Sequence, residues 1–300
     1  MSQKFELKGV ITPVITPTDP DDRVNEPALR KHIQWLLSQG VHGIFVGGTA
    51  GEGPLLTAPE WRRLVEVSFD EVGGKAYVVA GTMDTSTRRV IDKIKIVRDI
   101  GYVHFVVTPT FYVPVRGNDE HMRLFSACYE AGGSNMNMVP YNLPSCTQSV
   151  IAVETMVELA RRGWARYCKE SSGNAEYVAR LLAEAPGAGM TVLMGNEIGA
   201  AEAMLAGAGG MVPVCSNFEP RTYIDIYEAG RRGDRDACTK LQSRIQALVD
   251  NLVLAGPCFL AGPKHLVARR LGANVGQPIS PLSGLSPELT RKMDAFFPIG

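Results

Sequence analysis

A (β/α)8 barrel with a C-terminal helical extension is the fold the sequence predicts, on three observations. One phrase recurs along the chain: a helical pattern ends at a glycine, a short apolar run follows, then a turn, then the next helix. Eight such runs, at intervals of roughly 20–35 residues, suit successive βα units. The runs are apolar throughout rather than alternating, which marks a parallel sheet buried on both faces. Beyond about Asn217 the strand signal stops and only helical patterns continue.

The expected strands cover 9–14, 43–46, 77–80, 103–107, 136–139, 165–168, 191–194 and 210–214. In the first helix Leu29, Ile33, Leu36 and Leu37 fall at i, i+4, i+7 and i+8, one core-facing stripe. The second helix starts at Thr57-Ala58-Pro59-Glu60, which reads as a capping box with proline in the first turn. Glycines such as Gly74, Gly101 and Gly163 follow helices where a left-handed C-terminal cap belongs. After Asn217, helices are expected over 221–231, 234–254, 259–271 and 287–296, punctuated by Gly233, Gly256-Pro257 and Gly262-Pro263. Residues 1–217 would then carry the barrel strands and most barrel helices, and 218–300 the last barrel helix and the extension. A doubly wound open sheet is the alternative, but no G-x-G-x-x-G opens a helix after the first strand.

Composition narrows the function classes. Lys plus Arg is 31 and Asp plus Glu is 31, so the formal net charge is zero and no basic patch points to nucleic acid. No apolar stretch approaches the ~20 residues of a membrane span, and the first residues lack the apolar run of a signal peptide. The six cysteines form no C-x-x-C pair, so reduced thiols in a cytoplasmic protein are expected. The five histidines form no H-E-x-x-H, and nothing in the sequence asks for a metal.

The active site of such a barrel lies at the carboxyl ends of its strands. Lys169 stands at the end of the sixth run. A lysine is costly to bury because desolvation disfavours its charged form. That cost is useful where a neutral amine must attack a ketone and form a Schiff base. An isolated lysine there more often snorkels to the surface, and it is the rest of the chain that favours the chemical reading. After the second run comes Gly47-Gly48-Thr49-Ala50-Gly51-Glu52-Gly53, whose glycines and threonine hydroxyl suit close approach of backbone N–H groups to an anion, or simply a tight βα turn. After the fifth comes Pro140-Tyr141-Asn142-Leu143-Pro144, read as a loop that aims Tyr141 either as a proton carrier or as rim packing. After the seventh comes Gly195-Asn196-Glu197, which can hold polar atoms of a substrate.

These segments, in this order, resemble the dihydrodipicolinate synthase / N-acetylneuraminate lyase family of Schiff-base aldolases. Residues 48–52 resemble its G-[ST]-T-G-E signature, Tyr141-Asn142-Leu143-Pro144 matches Y-N-x-P, Lys169-Glu170-Ser171-Ser172-Gly173 resembles K-[DE]-[ST]-[ST]-G, and Pro278-Ile279-Ser280-Pro281-Leu282 resembles the closing proline-rich stretch. The resemblance implies a Schiff base between Lys169 and a 2-oxo acid such as pyruvate, with Tyr141 and Thr49 relaying protons. It implies that the backbone of Thr49 and Ala50 binds the carboxylate and that Val212 makes a backbone contact; Gly48, Ser171, Gly195 and Glu197 are further expected to bind the substrate. It also implies a homotetramer or homodimer and no cofactor beyond the lysine itself.

Departures from the family pattern bear on the substrate. The second signature threonine is Ala50, a relay tyrosine supplied by a neighbouring subunit is Phe111, the arginine after Y-N-x-P is Cys146, and the glutamate of sialic-acid lyases is Ile198. Phenylalanine passes no proton, and losing a bidentate carboxylate clamp is not conservative. The reading is therefore a class I lyase cleaving or condensing a 2-oxo acid with an aldehyde, on a 2-keto-3-deoxy sugar acid or similar hydroxy-oxo acid. The alternatives are 4-hydroxy-tetrahydrodipicolinate synthase, a dehydratase using the same Schiff base, and a silent barrel that only binds a carboxylate.

Overall fold

In the computed structural model, which describes residues 6–253 and 259–297, eight parallel strands close into a barrel in chain order. They are β1 (Gly9–Pro13), β2 (Gly43–Val46), β3 (Tyr77–Gly81), β4 (His104–Val107), β5 (Asn137–Asn142), β6 (Tyr167–Glu170), β7 (Thr191–Met194) and β8 (Gly210–Met211). Between them run α1 (Glu26–Ser38), α2 (Ala58–Val72), α3 (Thr87–Ile100), α4 (Asn118–Gly132), the one-turn α5 (Pro144–Thr147), α6 (Val153–Arg161), α7 (Ala175–Glu184) and α8 (Ala200–Leu205). After β8 come α9 (Pro220–Arg231), α10 (Arg235–Val253), α11 (Ala261–Leu271) and α12 (Pro287–Phe296). The barrel with a helical extension is thus the observed fold. Leu254, the Gly256-Pro257 pair and Cys258 lie outside the described residues.

Strand parity explains why the runs look uniformly apolar. Ile44, Val46, Phe105, Val107, Val192 and Met194 pack outward against the helices. Their neighbours Phe45, Val106 and Leu193 point inward and meet Ile11, Val79 and Val139 in a separate inner cluster. Successive residues of a strand face opposite sides, so a strand apolar on both parities is covered on both faces. On β6, Cys168 joins the outer layer and Tyr167 the inner one. Lys169, two residues beyond Tyr167, therefore shares its inward parity.

Several local expectations need correction. Pro140, Tyr141 and Asn142 are not in a loop but form the end of β5. That strand runs past its apolar run because Tyr141 and Asn142 still pair in register with Lys169 and Glu170 of β6. Strand β6 begins two residues later than expected and includes Lys169 and Glu170. Strand β8 is only Gly210–Met211. The capping box at α2 is absent: Thr57 caps nothing with its side chain, and the Glu60 carboxylate instead accepts the Val24 N–H at 2.7 Å. A donor in the loop after β1 outcompetes the local partner.

Helix α9 packs on β1 and α8 as the last barrel helix, and α10 lies over α8 and α9. Helix α11 touches α1, and the chain after it runs back across the loop that follows β1. There the Thr18 N–H donates to the Val275 carbonyl at 3.0 Å. Among the described residues no helix is long and apolar enough to cross a membrane.

Candidate active site

Lys169 and Tyr141 are direct register partners across β6 and β5. Both face the barrel interior, and the Lys169 Nζ lies 4.1 Å from the Tyr141 ring centroid and 4.9 Å from that of Phe45. Beneath the amine is a small cavity whose other walls are aliphatic or aromatic, Val106, Val139, Leu193 and Val212 among them. Lys169 is only 5% exposed. Burial pulls its pKa down to about 7. Fewer water dipoles reach the ammonium here, so the neutral amine is populated near pH 7.

Burial pushes the Tyr141 phenol well above its ordinary range. Ser171, and more weakly Thr49, oppose that shift by hydrogen bonding to the phenol side chain. The phenol stays protonated, so it is suited to accept one proton as it passes another on, rather than to stand as an ionised base.

The loop after β2 packs around this pair. A Cβ at Gly48 would come within 2.5 Å of the Phe45 ring, so only glycine lets the backbone lie over that ring. Gly195 is pressed the same way: a Cβ there would stand 2.0 Å from the Ser171 hydroxyl and 2.8 Å from the Lys169 Cε. No hydrogen bond among the described residues takes up the N–H of Thr49 or Ala50. Ala50 itself packs against Leu260 and Val214.

Other expected residues take different work. Both carboxylate oxygens of Glu197 are engaged, one by the Tyr223 hydroxyl and one by the Cys215 N–H at 3.1 Å. Its main-chain carbonyl also accepts from Gln242 at 3.1 Å. Burial raises its pKa. This carboxylate anchors α9 to the end of β7, with the Tyr223 hydroxyl of α9 on one of its oxygens. The Val212 N–H is used in the sheet, donating to Met194 at 2.7 Å. Phe111 packs on the inner cluster that holds Tyr141, whereas Tyr112 beside it is 90% exposed. Cys146 is exposed on α5, and Ile198 is exposed beyond β7.

Supporting residues were not recognisable as such in the sequence. Phe45 floors the amine, and only its inward parity reveals that. Asn142 and Glu170, the next register pair, fix the strand ends: Asn142 Nδ2 donates to Glu170 Oε2 at 2.8 Å, and Asn142 Oδ1 accepts from the Ile151 N–H at 3.0 Å. Both sit in quoted motifs, which was the available signal.

A closed parallel barrel with a buried amine at its strand ends is the setting in which family membership makes this chain a carbon–carbon lyase. The chain is a member of the Dihydrodipicolinate synthetase family, which it matches over residues 6–297. It is 32% identical over 283 residues to a 4-hydroxy-tetrahydrodipicolinate synthase of Xylella fastidiosa, covering 93% of this chain and 91% of that one. It is 31% identical over 291 residues to an uncharacterised DapA-like lyase of Halobacterium salinarum, covering 96% and 92%. Among solved structures, dihydrodipicolinate synthase from Aquifex aeolicus superposes with a TM-score of 0.87 at 25% identity, covering 96% of each chain.

Proposed function

We propose that this lyase works through a Schiff base on Lys169 formed with pyruvate or another 2-oxo acid. The observation that carries the proposal is a buried lysine, its pKa drawn down to about 7, beside a buried tyrosine on the adjacent strand. The neutral amine attacks the keto carbon and water leaves, giving an iminium. That cation accepts the electron pair of the C–C bond that breaks, while Tyr141 takes the proton of the substrate hydroxyl as it passes its own to Ser171 or Thr49, and an aldehyde departs. Protonation of the resulting enamine and hydrolysis free the 2-oxo acid and the lysine. Thr49 and Ser171 connect Tyr141 to further proton carriers, and the N–H groups of Thr49 and Ala50 receive the carboxylate.

For the partner we propose a 2-keto-3-deoxy sugar acid or a similar hydroxy-oxo acid. Cys146 offers no bidentate clamp for a second carboxylate, and Ser171 and Thr49 offer hydroxyls. With Glu197 occupied by Tyr223 and Cys215, contacts to partner hydroxyls fall to these side chains and to backbone groups. We also propose assembly into a dimer or tetramer through the exposed Tyr112 and Val113. Incubation with pyruvate and borohydride tests the chemistry: one reduced adduct per chain, mapped to Lys169, is expected. Labelling of another lysine, or none with any 2-oxo acid, would leave the barrel as a binder.

A further inference from the structure

We infer that Glu52 and Lys264 are positioning residues through which the C-terminal extension holds the loop after β2 in a carboxylate-receiving shape. The inference rests on the Schiff-base reading above. Lys264 Nζ lies 2.6 Å from Glu52 Oε2, with side chains 1% and 0% exposed. The other oxygen, Oε1, accepts the Ile279 N–H at 2.6 Å. Lys264 in turn donates to the Gln277 carbonyl at 2.7 Å. One carboxylate thus meets α11 and the segment after it at two points.

Three features separate this from ordinary packing. A buried ion pair is weak evidence for stability, since apolar residues of similar volume commonly serve as well, whereas losing one partner leaves an uncompensated buried charge. Glu52 also sits at φ 53, a left-handed conformation unfavourable for a side chain of its kind, which the surrounding contacts must hold. Finally, the residues joined to Glu52 are those that make the anion site. The Glu52 N–H donates to the Thr49 carbonyl at 3.1 Å, and the Gly53 N–H to the Gly48 carbonyl at 3.1 Å. The far side of the loop is held by Thr16, whose hydroxyl donates to the Gly51 carbonyl at 2.5 Å. Residues 48–51 are therefore suspended between β1 and the extension, and Glu52 is the hook on the extension side.

The test compares the wild type with Glu52→Gln, Lys264→Met and the double variant. Borohydride trapping at Lys169 is measured against pyruvate concentration on protein shown to be folded by circular dichroism. Each single variant should raise the half-saturating pyruvate concentration at least tenfold while saturating pyruvate still labels Lys169 fully. The double variant, which carries no unpaired charge, should lie between. In the wild type, pyruvate should slow amide exchange at Ile279 along with Glu52 and Gly53, although Ile279 belongs to the extension. This measurement decides the matter even where a variant fails to fold. Unchanged half-saturation in folded variants, or protection confined to Glu52 and Gly53, would overturn the inference. A wild type that labels with no 2-oxo acid would instead remove the Schiff-base reading, and the inference with it.

Discussion

The register that pairs Tyr141 with Lys169 sets the chemistry of this barrel. Paired inward-facing residues on adjacent parallel strands lie side by side, so the phenol ring and the amine share one dry compartment. The same burial moves the two groups apart in acidity: it depresses the amine to about 7 and raises the phenol. At neutral pH the amine is thus partly unprotonated while the phenol keeps its proton, the combination the proposed chemistry needs.

The rate of borohydride trapping at subsaturating pyruvate should follow the neutral fraction of Lys169. It should rise with pH to a plateau, with its inflection near 7 rather than near the ordinary 10.5. A rate still climbing steeply at pH 9 would mean that the amine is solvated.

The same shift has a stability consequence. Between about 7 and 10.5 the unfolded chain holds a proton on Lys169 that the folded chain has lost, so this residue makes stability rise with pH across that window. Lys169→Met should therefore unfold less readily than wild type at pH 7, by on the order of a few kcal/mol, with the advantage shrinking as pH approaches 10.5. Denaturant titrations at pH 7 and pH 10 measure it. A less stable methionine variant would show that Lys169 is held by partners of its charged form.

Tyr141→Phe keeps the ring over the lysine and removes only the hydroxyl. Turnover should fall by about 10²–10⁴ while pyruvate still labels Lys169. Near-normal turnover would reduce Tyr141 to a packing residue.

Condensation of pyruvate with aspartate semialdehyde should be poor compared with hydroxyaldehydes, because Cys146 stands where the family pattern has an arginine and cannot make a bidentate pair with its carboxylate. Cys146→Arg should raise kcat/KM for that substrate by tenfold or more by supplying a bidentate partner for its carboxylate. If the unaltered enzyme already prefers aspartate semialdehyde by tenfold, the substrate proposal is wrong and the synthase activity is the right one.

Tyr112 is 90% and Val113 73% exposed, and Tyr112 adopts φ 76 on the loop after β4. Two large apolar side chains on a strained loop fit a surface covered by a second copy. Sedimentation at micromolar concentration should show a dimer or larger, and Tyr112→Ser with Val113→Asp should shift it toward the monomer. A monomeric wild type would refute the assembly.

The sequence by itself determined the architecture. Glycine after helix, apolar run and helical stripe are local signals, and a chain that repeats them eight times has few ways to bury its strands on both faces other than a closed barrel. It also marked Lys169, through a costly position at the end of an apolar run together with the motif around it and those on the other strand ends. Tertiary structure decided what depends on contacts between distant segments. The pairing of Tyr141 with Lys169 depends on strand register, and the role of Phe45 on which parity faces inward. Glu197 reads as a substrate ligand until α9 brings Tyr223 to it. Nothing in the sequence links Glu52 to the distant Lys264 until the extension folds back and buries both. Propensity and motif act over a few residues, whereas a buried polar group takes its role from whichever partner the fold delivers to it.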